Sequence, residues 1–562
     1  MTQPSPAIVA QSAVQRLPRL ALPLLALVYI LAGFVGRSPW RSADLTAYGH
    51  MLSLAEGSTQ WLSPVLATSS SSASAYLPYW LGAASMLALP FVPADLAARV
   101  PYVLMLGLTF CATWYATYHL AKRESAQPVA FAFGGEAQPT DYARALADAA
   151  LLALLACLGL AQLSHETTAA QTQLCMISLV YFGFAAMSRR TKLAIASAAL
   201  GLLGLVLSGG PIIALLLCVV GIAVQGLPGV WSSARERQRY QTLFATLAVA
   251  LALLGWTLKL WAWRFITPGT DVDEWRSLLQ LLLWFTWPCW PLVLWGIWRW
   301  RKQLLAPHLA LPWSLLVLLL GCAIGNRNET DRALLPALPM LASLAAMALP
   351  TLRRSMAALI DWFTLAFFSF AALLIWVYWV AMQTGLPRRA ALNVANFAPG
   401  FVADFSALAV AVAAGATLAW VGLVVWRAGR HRRALWKSLV LPAGGATLAW
   451  LLLMTLWLPL LDYVRSYKPM VQSFLTLAPD ARCVQADGLN SQQATALRHH
   501  GGLRVLGASG TQHCDWLLYA PREGTAPRPA PQQWLLRSVI VRPTDRNDRL
   551  EVYQRRSANP GP

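Results

Sequence analysis

Apolar runs close to bilayer length, each divided from the next by a short polar loop, leave this chain very few possible folds. In hydrocarbon only helices and closed barrels satisfy their own backbone hydrogen bonds, and runs of about 20 apolar residues select helices. Clusters of Lys and Arg punctuate the runs: Lys122/Arg123, Arg189/Arg190/Lys192, Arg235/Arg237/Arg239, Arg299/Arg301/Lys302, Arg353/Arg354 and Arg427 through Lys437. Cationic loops stay cytoplasmic during insertion, so these clusters set the topology. Acidic residues fall mostly in the alternate loops. Any chemistry that needs a carboxylate therefore faces outward.

Only 12% of the 562 residues are charged, against about 25% in soluble domains. The net charge of +20 raises nucleic acid as a partner. Its placement excludes that reading: the cations sit at membrane ends, where anionic lipid answers them. Trp40, Trp61, Trp80, Trp261, Trp263 and Trp300 lie near span ends, as interfacial belts require. Cys111, Cys157, Cys175, Cys218, Cys289 and Cys322 stand singly in apolar segments and read as small hydrophobes. Cys483 and Cys514 lie in the polar tail, where a disulfide is expected if the tail is periplasmic. No metal-site spacing is present.

Met1 to Leu20 resembles a signal-peptide n-region without a cleavage site, which implies a cytoplasmic N-terminus and an uncleaved first span over Leu20–Gly36. Arg37 to Arg99 forms a long outer loop (37–99). Within it Tyr76–Val92 is apolar, short and bounded by proline, so it is expected to lie on the outer face. Further spans are expected at Pro101–Leu120, Ala145–Leu163, Ala170–Met187, Leu193–Leu207, Ile212–Gln225, Gln241–Leu258, Leu278–Trp298, Leu309–Ile324, Leu334–Leu349, Trp362–Val380, Ala407–Trp426 and Leu439–Leu460. The fold class is thus a polytopic α-helical membrane protein of about 13 transmembrane helices. From Asp462 composition turns polar and short β-prone runs appear: Leu503–Leu506, Trp516–Tyr519, Leu535–Val541 and Leu550–Tyr553. Val484 to His500 leaves room for an amphipathic helix. Residues 1–461 form the transmembrane domain and residues 462–562 a small α/β domain on the outer, periplasmic side.

Asp44 carries the most weight among the outer polar residues. It shares one helical face with Tyr48, Leu52 and Ala55. Such a carboxylate is either a first-turn residue favoured by the helix dipole or a general base for an acceptor hydroxyl. His165 and Glu166 mark the end of another span and are either solvated interface residues or contacts to acceptor or sugar. Arg264, Arg327 and Arg332 lie in outer loops; Arg332 is either a snorkelling end residue or a bidentate phosphate ligand. His499, His500 and His513 read as surface histidines.

The first loop resembles that of the GT-C membrane glycosyltransferases, especially the protein O-mannosyltransferases and the lipid A aminoarabinose transferases. The matching features are Asp44, Tyr48, Trp61-Leu62-Ser63-Pro64 and Pro78-Tyr79-Trp80-Leu81, then Leu207-Ser208-Gly209-Gly210-Pro211 and Arg332-Ala333-Leu334-Leu335-Pro336-Ala337-Leu338-Pro339. The resemblance implies a GT-C-like fold and transfer of a sugar from a polyprenyl-phosphate donor to a periplasmic lipid, glycan or protein, in a bacterial inner membrane. It implies Asp44 as catalytic base and Tyr48 on the donor side, with Arg264, Arg327 or Arg332 as substitutes for the family's lysines at the donor phosphate. Leu45, Ser74 and Ser208 stand where the family carries a second acidic residue and two lysines. No cofactor is required, although a divalent metal is an allowed substitute for the missing charge. Two other functions stay open: a catalytically silent homologue acting as a binding or scaffold subunit, and a lipid-linked glycan transporter.

Overall fold

The computed structural model describes residues 5–63, 74–227, 233–261, 271–326, 329–429, 434–507, 514–521 and 529–556. The chain divides into two units, one made of Met1–Val35, Pro101–Leu373 and Ala411–Leu453, the other of Gly36–Val100, Leu374–Val410 and Met454–Pro562. The first outer loop groups with the polar tail in the second of these units.

Among the described residues, 8 helices are long and apolar enough to cross a membrane, or up to 10 if each of two bent pairs counts as one span. Three shorter apolar helices, Ala21–Phe34, Thr191–Leu207 and Pro211–Gln225, complete the series. Each expected span coincides with a long helix, a bent pair or a short helix, so the molecule is a multi-pass membrane protein. Two spans expected to be straight are broken. Pro139–Ala156 and Leu158–His165 meet at 64°, and Val272–Phe285 and Cys289–Trp300 meet at 89°. Pro288 accounts for the second break, since it offers no amide and disfavours helix at the residue before it. The two breaks touch: the Leu158 amide donates to the Trp287 carbonyl at 3.1 Å, and Cys157 and Cys289 sulfurs lie 3.4 Å apart. Another helix starts earlier than expected, at Ala94 rather than Pro101, with the proline inside it.

Ala169–Ala186 and Thr191–Leu207 pack as an antiparallel hairpin of small residues. A Cβ on Gly201 would stand 2.5 Å from the Met176 carbonyl oxygen, so only glycine permits this approach. The N-terminal segment is docked rather than trailing. Ala10 bridges to Glu136, the Val129 amide donates to the Ala7 carbonyl, and Arg16 pairs with Asp141 at 3.2 Å.

In the second unit a five-stranded sheet runs in the order β2-β1-β3-β5-β4, with β1 Cys483–Asp487, β2 Arg504–Gly507, β3 Trp516–Tyr519, β4 Trp534–Arg542 and β5 Asp545–Arg555. β1 pairs in parallel with β2 and β3, whereas β5 is antiparallel to β3 and β4. The expected strands are present. β1, which the expected strands did not include, is a buried inner strand, and such strands show no polar alternation. The helix Ser491–Gly501 follows it, opened by a reciprocal Asn490/Gln493 capping box and closed by Gly502 at φ 61°. Cys483 and Cys514 form a disulfide, the pairing expected of an extracytoplasmic domain.

Candidate functional site

In the second unit, Ser42 turns the chain sharply at φ 81° and donates its amide to Gln492 Oε1 at 2.9 Å. Asp44 then sits in the first turn of the Ala43–Ala55 helix, where the dipole favours a carboxylate. Its Oδ2 accepts from the Trp40 amide at 3.2 Å and pairs with Arg37 Nη2 at 3.1 Å. Both side chains are closed off, 1% exposed for Arg37 and 2% for Asp44. The Arg37 guanidinium lies 4.7 Å from the Trp40 ring. That indole donates to Asp462 Oδ1 at 2.6 Å, and Asp462 also accepts from the amide and hydroxyl of Ser38. Arg99, itself buried, pairs with Asp95 at 3.6 Å and feels the charges of Asp44 and Asp462. Burial raises the Asp462 carboxyl pKa, against the opposing bonds from Trp40 and Ser38 and the charge of Arg37. A buried network of this kind holds only because each charge is answered.

The same helix is fixed along its length by the helix of the C-terminal domain. Tyr48 OH lies 3.0 Å from His499 Nδ1, Arg498 donates to Ser53 Oγ at 2.8 Å and pairs with Glu56, and a Cβ on Gly49 would stand 2.3 Å from Thr495 Oγ1. Tyr48 is thereby 1% exposed, and burial raises its hydroxyl pKa well above the usual tyrosine range. His499 and His500, expected at the surface, are half-buried, and burial lowers both, His500 to about 3. His50 stacks on Tyr79 with centroids 4.6 Å apart, and burial lowers it to about 4.

In the first unit, Glu166 follows the bent helix pair. Its Oε2 accepts from Arg332 Nε at 3.2 Å and Nη2 at 2.9 Å, while Gln162 donates to its Oε1 at 3.1 Å. Arg332 stands in the short helix Thr330–Leu334; Pro336 then forces a 3-10 turn before Leu338–Ala348 continues. Arg332 keeps 14% of its side chain exposed. His165 is fully buried, with Nε2 3.1 Å from the Tyr29 carbonyl and its ring against Phe34 and Trp450. The first of these is a hydrogen bond and the others are ring contacts. Arg264 and Arg327 lie outside the described residues. Among the described residues no three His, Cys, Asp or Glu side chains gather as a metal site.

No family model matches the sequence, and no curated protein does. Solved structures do. The crystal structure of ArnT from Cupriavidus metallidurans bound to undecaprenyl phosphate aligns with a TM-score of 0.58, covering 97% of this chain and 99% of that one at 14% identity. The same protein in its apo state aligns at 0.59 with 97% and 98% coverage, again at 14% identity. This chain has the ArnT fold. The expected likeness to the GT-C transferases therefore holds at the level of fold.

Against that fold, Asp44 and Glu166 each stand beside an arginine, which sequence alone did not bring together. The sequence assigns no site role to Arg37, Arg99 or Asp462. A signal for Arg37 existed: a charged residue directly after an apolar run, close to a carboxylate, is costly unless paired. Asp462 carried none, because more than four hundred residues of sequence separate it from Trp40.

Proposed function

We propose that this protein is a glycosyltransferase of a bacterial inner membrane that moves a sugar from a polyprenyl-phosphate donor to a periplasmic lipid, glycan or protein. The observation that carries the reading is fold agreement over almost the whole of both chains with a protein crystallised with undecaprenyl phosphate. The basic loops support a cytoplasmic N-terminus, and the odd number of expected spans then puts the C-terminal domain on the periplasmic side.

Asp44 is assigned as the base. It takes the proton of the acceptor nucleophile, whose lone pair forms the new bond to the anomeric carbon. The bond from that carbon to the phosphate oxygen breaks, and polyprenyl phosphate leaves with the electron pair, inverting the centre. A carboxylate held by a guanidinium is a weak base, so turnover requires the Arg37 contact to loosen. Arg332 is assigned to the donor phosphate, which competes with Glu166 for the same planar face.

The buried Arg37–Asp44 pair, together with Ser208 and Ser74 in place of lysines, favours one rival, a catalytically silent homologue. Liposomes loaded with labelled donor and acceptor separate the readings: transferred label supports the enzyme, lipid moved without transfer means a transporter, and neither means a silent subunit. Asp44→Asn, compared at equal folded protein, loses about 10²- to 10⁴-fold in transfer. Near-normal turnover would remove Asp44 from the mechanism.

A further inference from the structure

Two loops at helix ends of the first unit collect cations that no carboxylate answers. The Ala94–Ala121 helix runs directly into Lys122 and Arg123, and Ala169–Ala186 is followed within a turn by Arg189 and Arg190. Arg189 Nη2 donates to the Lys122 carbonyl at 3.0 Å, tying the loops together. Gln127 Nε2 donates to the carbonyls of Ala121 and Arg123 at 2.8 and 3.3 Å, so the first loop is folded back on its helix. Among the described residues, none of these four cations forms an ion pair, although Glu124 is next in sequence. The Arg123 Nε has no hydrogen-bond partner, and burial with the nearby Arg189 charge pushes this guanidinium down to about 10.

An aromatic wall adjoins the cations. Lys122 Nζ lies 5.7 Å from the Tyr118 ring, which stacks on Trp114 at 5.5 Å. Tyr115, 51% exposed, stands edge-on to Trp114 and 6.3 Å from Phe182 of the second helix. Both helices are apolar enough to cross a membrane, so their ends lie at its boundary, on the side that the basic loops mark as cytoplasmic. A soluble anion has no use for the aromatic wall, whereas a lipid uses both parts.

We propose that Lys122, Arg123, Arg189 and Arg190 form a headgroup site for a diacidic glycerophospholipid of the cardiolipin type, whose acyl chains lie along Tyr115 and Phe182. Two loops carrying two cations each match two phosphates, and basic sites between spans on this membrane side bind such headgroups.

The test uses the full-length protein in mild detergent, read by native mass spectrometry with cardiolipin, phosphatidylglycerol, phosphatidylethanolamine or inorganic phosphate. Cardiolipin is expected to be retained at least tenfold over phosphatidylethanolamine. The exposed pair Arg189→Gln/Arg190→Gln is expected to weaken it about 25-fold, at about fivefold per cation. Tyr115→Ala, which leaves the charge intact, is expected to weaken it about threefold, and the charge-matched Arg235→Gln/Arg237→Gln not at all. Equal retention of phosphatidylglycerol, displacement by millimolar inorganic phosphate, or full retention in the arginine pair variant would each overturn the proposal.

Discussion

The two arginine–carboxylate pairs differ in how far solvent reaches them. Arg37 and Asp44 are 1% and 2% exposed, whereas Arg332 and Glu166 are 14% and 3% exposed. The first pair lies inside a network of Trp40, Asp462 and Arg99. The second joins a short helix before a proline turn to the end of a bent helix pair. A fully buried pair fixes structure, because neither charge survives alone. A pair with a partly open arginine can exchange its carboxylate for another anion at lower cost. On the proposed reading, the more open Arg332 is the one free to take the donor phosphate, and Asp44 acts as base only once released from Arg37.

Arg37→Ala gives the largest effect that the comparison predicts. It strands a buried carboxylate, and stability in detergent should fall by about 3–5 kcal/mol. A loss under about 1 kcal/mol would mean that the pair is not closed as described. In Gly49→Ala the new Cβ meets Thr495 Oγ1 at 2.3 Å. The helix that carries Asp44 should lose about 1–3 kcal/mol of docking stability, read by denaturant unfolding of the full protein. Wild-type behaviour would show that this contact yields freely.

Arg332→Ala leaves the nearly buried Glu166 without its cation and should cost about 2–3 kcal/mol in stability and weaken donor binding about tenfold, measured by donor titration. Glu166→Gln frees the guanidinium and should tighten donor binding. A weaker donor in both variants would mean that Glu166 itself contacts the donor. The smallest effect is on acidification. His50 and His500 are held neutral, at about 4 and about 3, by burial. Below the unfolded value of about 6.5 the unfolded chain binds protons that the folded one does not. Stability from these groups is complete at high pH and lost as pH falls from about 6.5 toward 4. Between pH 7 and 6 the loss is about 0.7 kcal/mol per histidine. His50→Gln and His500→Gln should flatten this slope in unfolding midpoints; an unchanged slope would place the titration elsewhere.

Particular residues show what was legible. The apolar runs marked their helices because hydropathy is written locally, and Ser491–Gly501 announces itself through its Asn490 cap and Gly502 stop. The bend at Cys157 was not legible, since no proline marks it and the second broken helix that packs against it lies far off in sequence. The resemblance to the GT-C transferases implied a place on the donor side for Tyr48, which shares a helix face with Asp44. That face carries the hydroxyl to His499, a contact across 451 residues of sequence.

Sequence by itself determined the class of protein, the order of its membrane segments and the position of Asp44 in a first helical turn, because burial in lipid and helix dipoles act over neighbouring residues. Only the tertiary structure decided that Asp44 is locked to Arg37, that Glu166 holds Arg332, and that the first outer loop belongs with the C-terminal domain. Those outcomes depend on which distant charges share a low-dielectric interior, where a charge left without its partner is too costly to keep.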